Sequence, residues 1–140
     1  MLIQRRKAIL SGVIAIAGVI SIQAFNSFAC YGHDLWSFLG ALGIFLSLPL
    51  LPAILSLVTA NPLRAVGACL LFAPWLFFAY YTDCVRPYTG GGASMIYIAV
   101  ILWGTPSSII GALVTGTILR AVGIRVEERK QHTQPARSSA

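Results

Sequence analysis

Two cysteines sit in polar, aromatic settings between long apolar runs: Cys30 in FACYGHDLW and Cys84 in YYTDCVRPYTGGG. Such a pair can hold a metal, exchange electrons or staple the chain. Cys30, His33, Asp83 and Cys84 could together offer four zinc ligands, and Cys-x-x-His is an acceptable half-site. Asp is uncommon in closed zinc sites, however, and one half-site alone carries little information. A thiol oxidoreductase would show Cys-x-x-Cys or a second cysteine pair, and covalent haem attachment needs Cys-x-x-Cys-His. Neither string occurs. The reading adopted is a Cys30–Cys84 disulfide, with Cys69 a small apolar filler inside a hydrophobic run. No metal and no cofactor is expected.

The other polar residues offer little chemistry. There is no glycine-rich phosphate loop, no pair of carboxylates for acid–base work and no Ser/His/Asp set with a buried base. No enzyme is expected. Gln23 and Asn26 lie inside an apolar run, and with Ser27 and Cys30 they share a helical face at spacings of three and four. They read as polar groups that hydrogen-bond to neighbouring helices beneath the disulfide, or as one wall of a polar vestibule.

These residues need elements to hold them, and composition says which. Of 140 residues 57% are hydrophobic and 10% charged, with a mean hydropathy of +0.80, too little charge to cover a soluble domain of this size. Between Lys7 and Arg120 the chain carries only Asp34, Arg64, Asp83 and Arg86 as charges, all at the edges of apolar segments. The expected fold is an all-α integral membrane protein, four transmembrane helices in an antiparallel bundle with the lipid bilayer as solvent. The transmembrane domain is residues 1–120, with spans near 8–29, 35–58, 63–83 and 94–119. Each is close to the roughly 20 residues a bilayer core requires, and lipid admits only helices or closed barrels. Residues 121–140 read as a basic, disordered tail.

With four spans, one side carries nine of the ten Lys and Arg residues and the other only Arg86. The positive-inside rule then puts both termini in the cytoplasm of a bacterial inner membrane. The opposite, outer face gathers Tyr31, Trp36, Tyr80, Tyr81, Arg86 and Tyr88, an aromatic belt. The basic ends are expected to meet anionic lipid, and no nucleic-acid partner is expected. MLIQRRK, an apolar run and Ser27-Phe28-Ala29 also resemble a cleavable signal; the run's length favours an uncleaved first span.

The turns are short. Asp34 should cap the second helix and Asn61 the third, with Pro62 in its first turn, and Ser94 the fourth. Pro49, Pro52, Pro74 and Pro106 are expected to bend their helices. In the fourth helix Gly104, Ser108, Ala112 and Gly116 recur every four residues, with Gly111 and Thr115 alongside. This small stripe permits close backbone approach. It either packs against the first helix, which carries a shorter version, or docks another membrane protein.

The function expected is contact within the bilayer: an accessory subunit, assembly factor or inhibitor of another membrane protein, for example of the toxin-immunity type. The alternative is an oligomeric channel or small-solute transporter. A carrier usually needs an ionisable group at depth, and Arg64 and Asp83 lie only at the ends of their span, while four helices are too few to enclose a pore without a homo-oligomer.

Overall fold

The computed structural model describes residues 2–86, 89 and 95–126. Tyr88, Ser94, the Gly90–Gly92 run and the tail beyond Val126 lie outside the described residues. Four helices are long and apolar enough to cross a membrane: α1 (Arg5–Cys30), α2 (Leu35–Val58), α3 (Arg64–Val85) and α4 (Ile96–Ala121). At 1.5 Å per residue the shortest, α3, is about 33 Å long, against a hydrocarbon core of about 30 Å. α2 has the expected limits. α1 starts earlier, because Arg5, Arg6 and Lys7 are good helix formers and continue the first turn.

Two-residue strands β1 (Leu2–Ile3) and β2 (Arg125–Val126) pair in parallel, Leu2 with Arg125 and Ile3 with Val126. The start of α1 and the end of α4 are therefore neighbours. Cys30 and Cys84 bring the other ends of α1 and α3 together, with their Cα atoms 5.7 Å apart. The molecule thus has a terminal end and a cysteine end.

α3 is the central helix: it packs on α1, α2 and α4, and its pairing with α4 is the most extensive. The core is built around Phe72 and Leu76 of α3, Leu46 and Leu50 of α2, Val19 of α1 and Val100 of α4. The small stripe explains the α3–α4 approach. A methyl group added at Gly67 would lie 2.5 Å from the Gly111 carbonyl oxygen, and one at Gly104 would lie 2.6 Å from the Phe72 ring. A methyl group added at Gly116 would likewise lie 2.5 Å from Arg64 Nε. Partner positions fall along α4 as they rise along α3.

The stripe's partner is therefore α3, not the first helix. Gly104, Ser108, Gly111, Ala112 and Gly116 are buried and Thr115 half-buried. In this arrangement the stripe offers no open surface to a second protein. Periodicity marks a close-packing face but says nothing about which neighbour fills it.

One local expectation needs correction. Asn61 does not cap α3: no side chain caps that helix, and Asn61 Oδ1 is buried without a hydrogen-bond partner. Instead Arg64, Ala65 and Val66 N–H donate to the carbonyls of Asn61, Pro62 and Leu63, a tight first turn that satisfies the backbone itself. The helices run on through their prolines. Pro52, Pro74 and Pro106 lie inside continuous helix. Pro49 comes just after a wide, π-type turn at Leu42–Leu46, a local adjustment that accommodates the missing donor. Asp34 does cap α2, its carboxylate accepting from Ser37 N–H at 3.0 Å.

Candidate functional site

The side chains of greatest chemical variety meet at the cysteine end. α1 and α3 each finish in a π-type turn, Asn26–Cys30 and Tyr81–Val85, closed by Tyr31 N–H to Asn26 C=O and Arg86 N–H to Tyr81 C=O. A π-type turn inserts one residue relative to an α-turn and so re-aims the side chains at the helix end. The two turns present Cys30 and Cys84 to each other at bonding distance. A cysteine pair so joined would keep no thiolate for a metal, so this arrangement favours the staple over the zinc reading of Cys30, His33, Asp83 and Cys84.

The residue after Cys30 and the residue before Cys84 also meet. Tyr31 O–H donates to Asp83 Oδ2 in a short hydrogen bond. Burial, then this bond, pushes the Tyr31 phenol well above the ordinary tyrosine range. The Tyr31 ring stacks on His33 at 5.3 Å and tilts against Tyr97 at 6.0 Å. Gly32, at φ 59°, supplies the left-handed residue this turn needs. Hydrogen bonds from Asp34's own cap, Ser37 foremost, hold the Asp34 carboxyl below its usual range.

Below this cap a polar layer reaches into the bundle. Gln23 and Asn26 are each 1% exposed and Ser27 is fully buried. Asn26 Nδ2 donates to the Leu76 carbonyl of α3 at 3.2 Å, Gln23 Nε2 donates to Ser27 Oγ at 3.3 Å, and Tyr97 O–H of α4 donates to Gln23 Oε1 at 3.4 Å. Three helices are thereby tied together by groups that lipid could not satisfy. Gln23 and Asn26 each take part in this layer. Tyr97 reads from the sequence only as another aromatic near the outer interface, and nothing in its spacing announces Gln23 as its partner.

The remaining outer-face residues split. Trp36 (79% exposed), Tyr81 and Arg86 point outward. Tyr80 is half-buried against Phe25 at 5.5 Å and lines a groove of about 330 Å³ between α1 and α3, with Ile22 and Phe77. The groove is apolar, and among the described residues no group of three or more His, Cys, Asp or Glu forms a metal-binding cluster. The arrangement can hold α1, α3 and α4 in fixed register and display a rigid aromatic rim. Among the described residues it presents no nucleophile beside a base and no paired carboxylates. Comparison with protein-family models, with curated proteins and with solved structures returns no match, so no family is assigned to the chain.

Proposed function

We propose that this chain is a four-span membrane protein, both ends on the cytoplasmic side, that acts by contact with another membrane-embedded protein. The observation that carries the reading is the contrast between interior and surface. The interior is closed by Phe72, Leu46, Leu76 and the Gln23–Asn26 layer, while Leu, Ile, Val and Phe side chains crowd the outside of all four helices. An apolar exterior of this extent suits lipid or a protein partner rather than water. The described spans carry no charged group at depth to couple ions or perform acid–base work, which supports contact over transport. The rigid rim at the cysteine end, Trp36, Tyr81 and Arg86 around the disulfide, is the surface best suited to recognition, since aromatic and Arg side chains make good interface anchors. An accessory subunit, assembly factor or inhibitor of the toxin-immunity type fits this description.

Purification in mild detergent with identification of co-purifying membrane proteins, alongside liposome flux assays of the protein alone, tests the reading. A stoichiometric partner lost on Trp36→Ala/Tyr81→Ala is expected, with silent liposomes. Solute flux by the purified protein alone overturns it.

A further inference from the structure

Each cysteine of the bridge lies within a wide, π-type turn, Asn26–Cys30 on α1 and Tyr81–Val85 on α3. Such a turn is a rare departure from the α-helix, so something must hold it open. Near Leu42–Leu46 of α2 that is Pro49, whose missing N–H leaves the Phe45 carbonyl without its usual donor. Neither NSFAC nor YTDCV contains a proline. Pro87 follows the α3 turn by two residues, but after Cys30 the next proline is Pro49, so α1 is the cleaner case. The constraints its turn shares with that of α3 are the Cys30–Cys84 bond and the Tyr31–Asp83 hydrogen bond beside it.

On α1 the wide turn has a specific consequence. Tyr31 N–H donates five residues back, to the Asn26 carbonyl at 3.3 Å, and this leaves the Ser27 carbonyl to accept from His33 N–H at 3.0 Å. An ordinary α-turn would give the Ser27 carbonyl to Tyr31 N–H instead. His33 N–H would then lose its acceptor, and Gly32 would no longer be held at φ 59°. Directly downstream, Asp34 caps α2 through Ser37, and Trp36 stands exposed on the rim. One carbonyl, open to either of two N–H groups, thus joins the bridge to the rim.

We infer that Cys30–Cys84 is a redox-sensitive clasp that sets the conformation of the rim. Both cysteines are half-buried at helix ends, within reach of a dithiol reductant in the adjoining water. A thiolate of that dithiol attacks one bridge sulfur, breaking the S–S bond and forming a mixed disulfide. Its second thiol then closes on the first. The reductant leaves as a disulfide, and its two electrons and two protons stay on Cys30 and Cys84 as thiols. With the bridge open, α1 tightens to an α-turn, Tyr31 N–H takes the Ser27 carbonyl, and the Tyr31–Trp36 segment turns. Reoxidation resets it. The clasp's effect on recognition rests on the contact reading of the rim; the clasp itself does not, and its test needs no partner.

Linkage supplies that test. If opening the bridge releases Gly32 from the left-handed region, straining that region must ease the opening by the same factor. Gly32→Ala adds a methyl group that meets nothing within 4 Å, so its cost falls on the backbone alone. The protein is equilibrated in lipid bilayers with glutathione redox buffers, and free thiols are scored by alkylation. Gly32→Ala should shift the equilibrium about fivefold toward the thiols, the cost of a left-handed φ for an L-residue. A simple staple keeps Gly32 at one φ in both redox states, so equal midpoints overturn the clasp. Should Gly32→Ala fail to fold, iodide quenching of tryptophan in the unsubstituted protein decides. Quenching should change on reduction, and the unreduced Cys30→Ser/Cys84→Ser protein should already show the changed value. In Trp36→Phe, where Trp75 and Trp103 alone report, it should stay constant. Constant quenching in the unsubstituted protein with both thiols open overturns the clasp. An equal change in Trp36→Phe also overturns it, because the whole bundle has then loosened.

Discussion

Cys30-Tyr31 and Asp83-Cys84 form two adjacent locks between the same helix ends, one covalent and one a hydrogen bond. Alkylation of membrane-isolated protein without reductant should therefore label Cys69 alone after unfolding, and two further labelled thiols would refute the staple. For a separation of 54 residues the chain-entropy treatment allows the bridge about 4 kcal/mol at most, because helices already inserted explore less space than a free coil. Tyr31 adds a pH dependence of definite sign. Its folded-state pKa is raised, by burial first and by Asp83 next, so its contribution is complete below the usual tyrosine value of about 10 and is lost as pH rises beyond it. Tyr31→Phe should flatten the alkaline loss of stability in a pH series. An unchanged alkaline limb would mean that another group controls it. Asp34 acts at the other extreme. With its pKa lowered by the cap, its stabilisation is present above the ordinary carboxylate range and fades as acid drives pH down through the depressed value.

Among the helices, the α3–α4 pair has least room to adjust. Gly67→Ala drives a methyl group into Gly111 and Thr115 of α4, backbone against backbone, and should cost about 1–3 kcal/mol. Gly18→Ala meets nothing within 4 Å and should be neutral or gain up to about 1 kcal/mol from helix propensity. Unfolding of the two variants in mixed micelles, monitored by circular dichroism, compares them directly; equal stabilities would disprove the close approach. This pair also shows how much is legible in the residues alone. The Gly104–Gly116 stripe announces a tight contact, and hydropathy marks four apolar helices long enough to cross a membrane. The identity of the partner helix is not legible, because a small face is equally compatible with α1, α3 or a foreign helix until the whole bundle is assembled. The π-type turns that bring Cys30 and Cys84 together are likewise silent, since NSFAC and YTDCV have no residue pattern that separates a wide turn from an ordinary one. Asn61 misleads for a related reason: a good capping residue before Pro62 is redundant once the first turn of α3 closes on its own carbonyls.

At the scale of the whole molecule, every functional inference depends on the two chain ends sharing a side. Nine of ten basic residues fall on that side if the chain crosses four times, and independently Leu2–Ile3 pairs with Arg125–Val126. A charge count and a hydrogen-bonded pairing both fit an even number of crossings. Reporter fusions at the two ends should therefore both register the cytoplasm, and a Leu2→Cys/Arg125→Cys protein should crosslink within one chain. Reporters in opposite compartments would separate β1 from β2. They would move Arg64 and Arg120 to different leaflets or leave one span outside the bilayer, and a crosslink could then form only before insertion. If the reporters agree and the crosslink fails, the crossings stand but the ends part in the membrane, and α1 keeps its hold on the bundle through its packing on α3, Asn26, Gln23 and the Cys30–Cys84 bond. The unpaired ends then predict a selective outcome: Asn26→Ala should loosen α1 in that protein far more than in one whose ends remain joined.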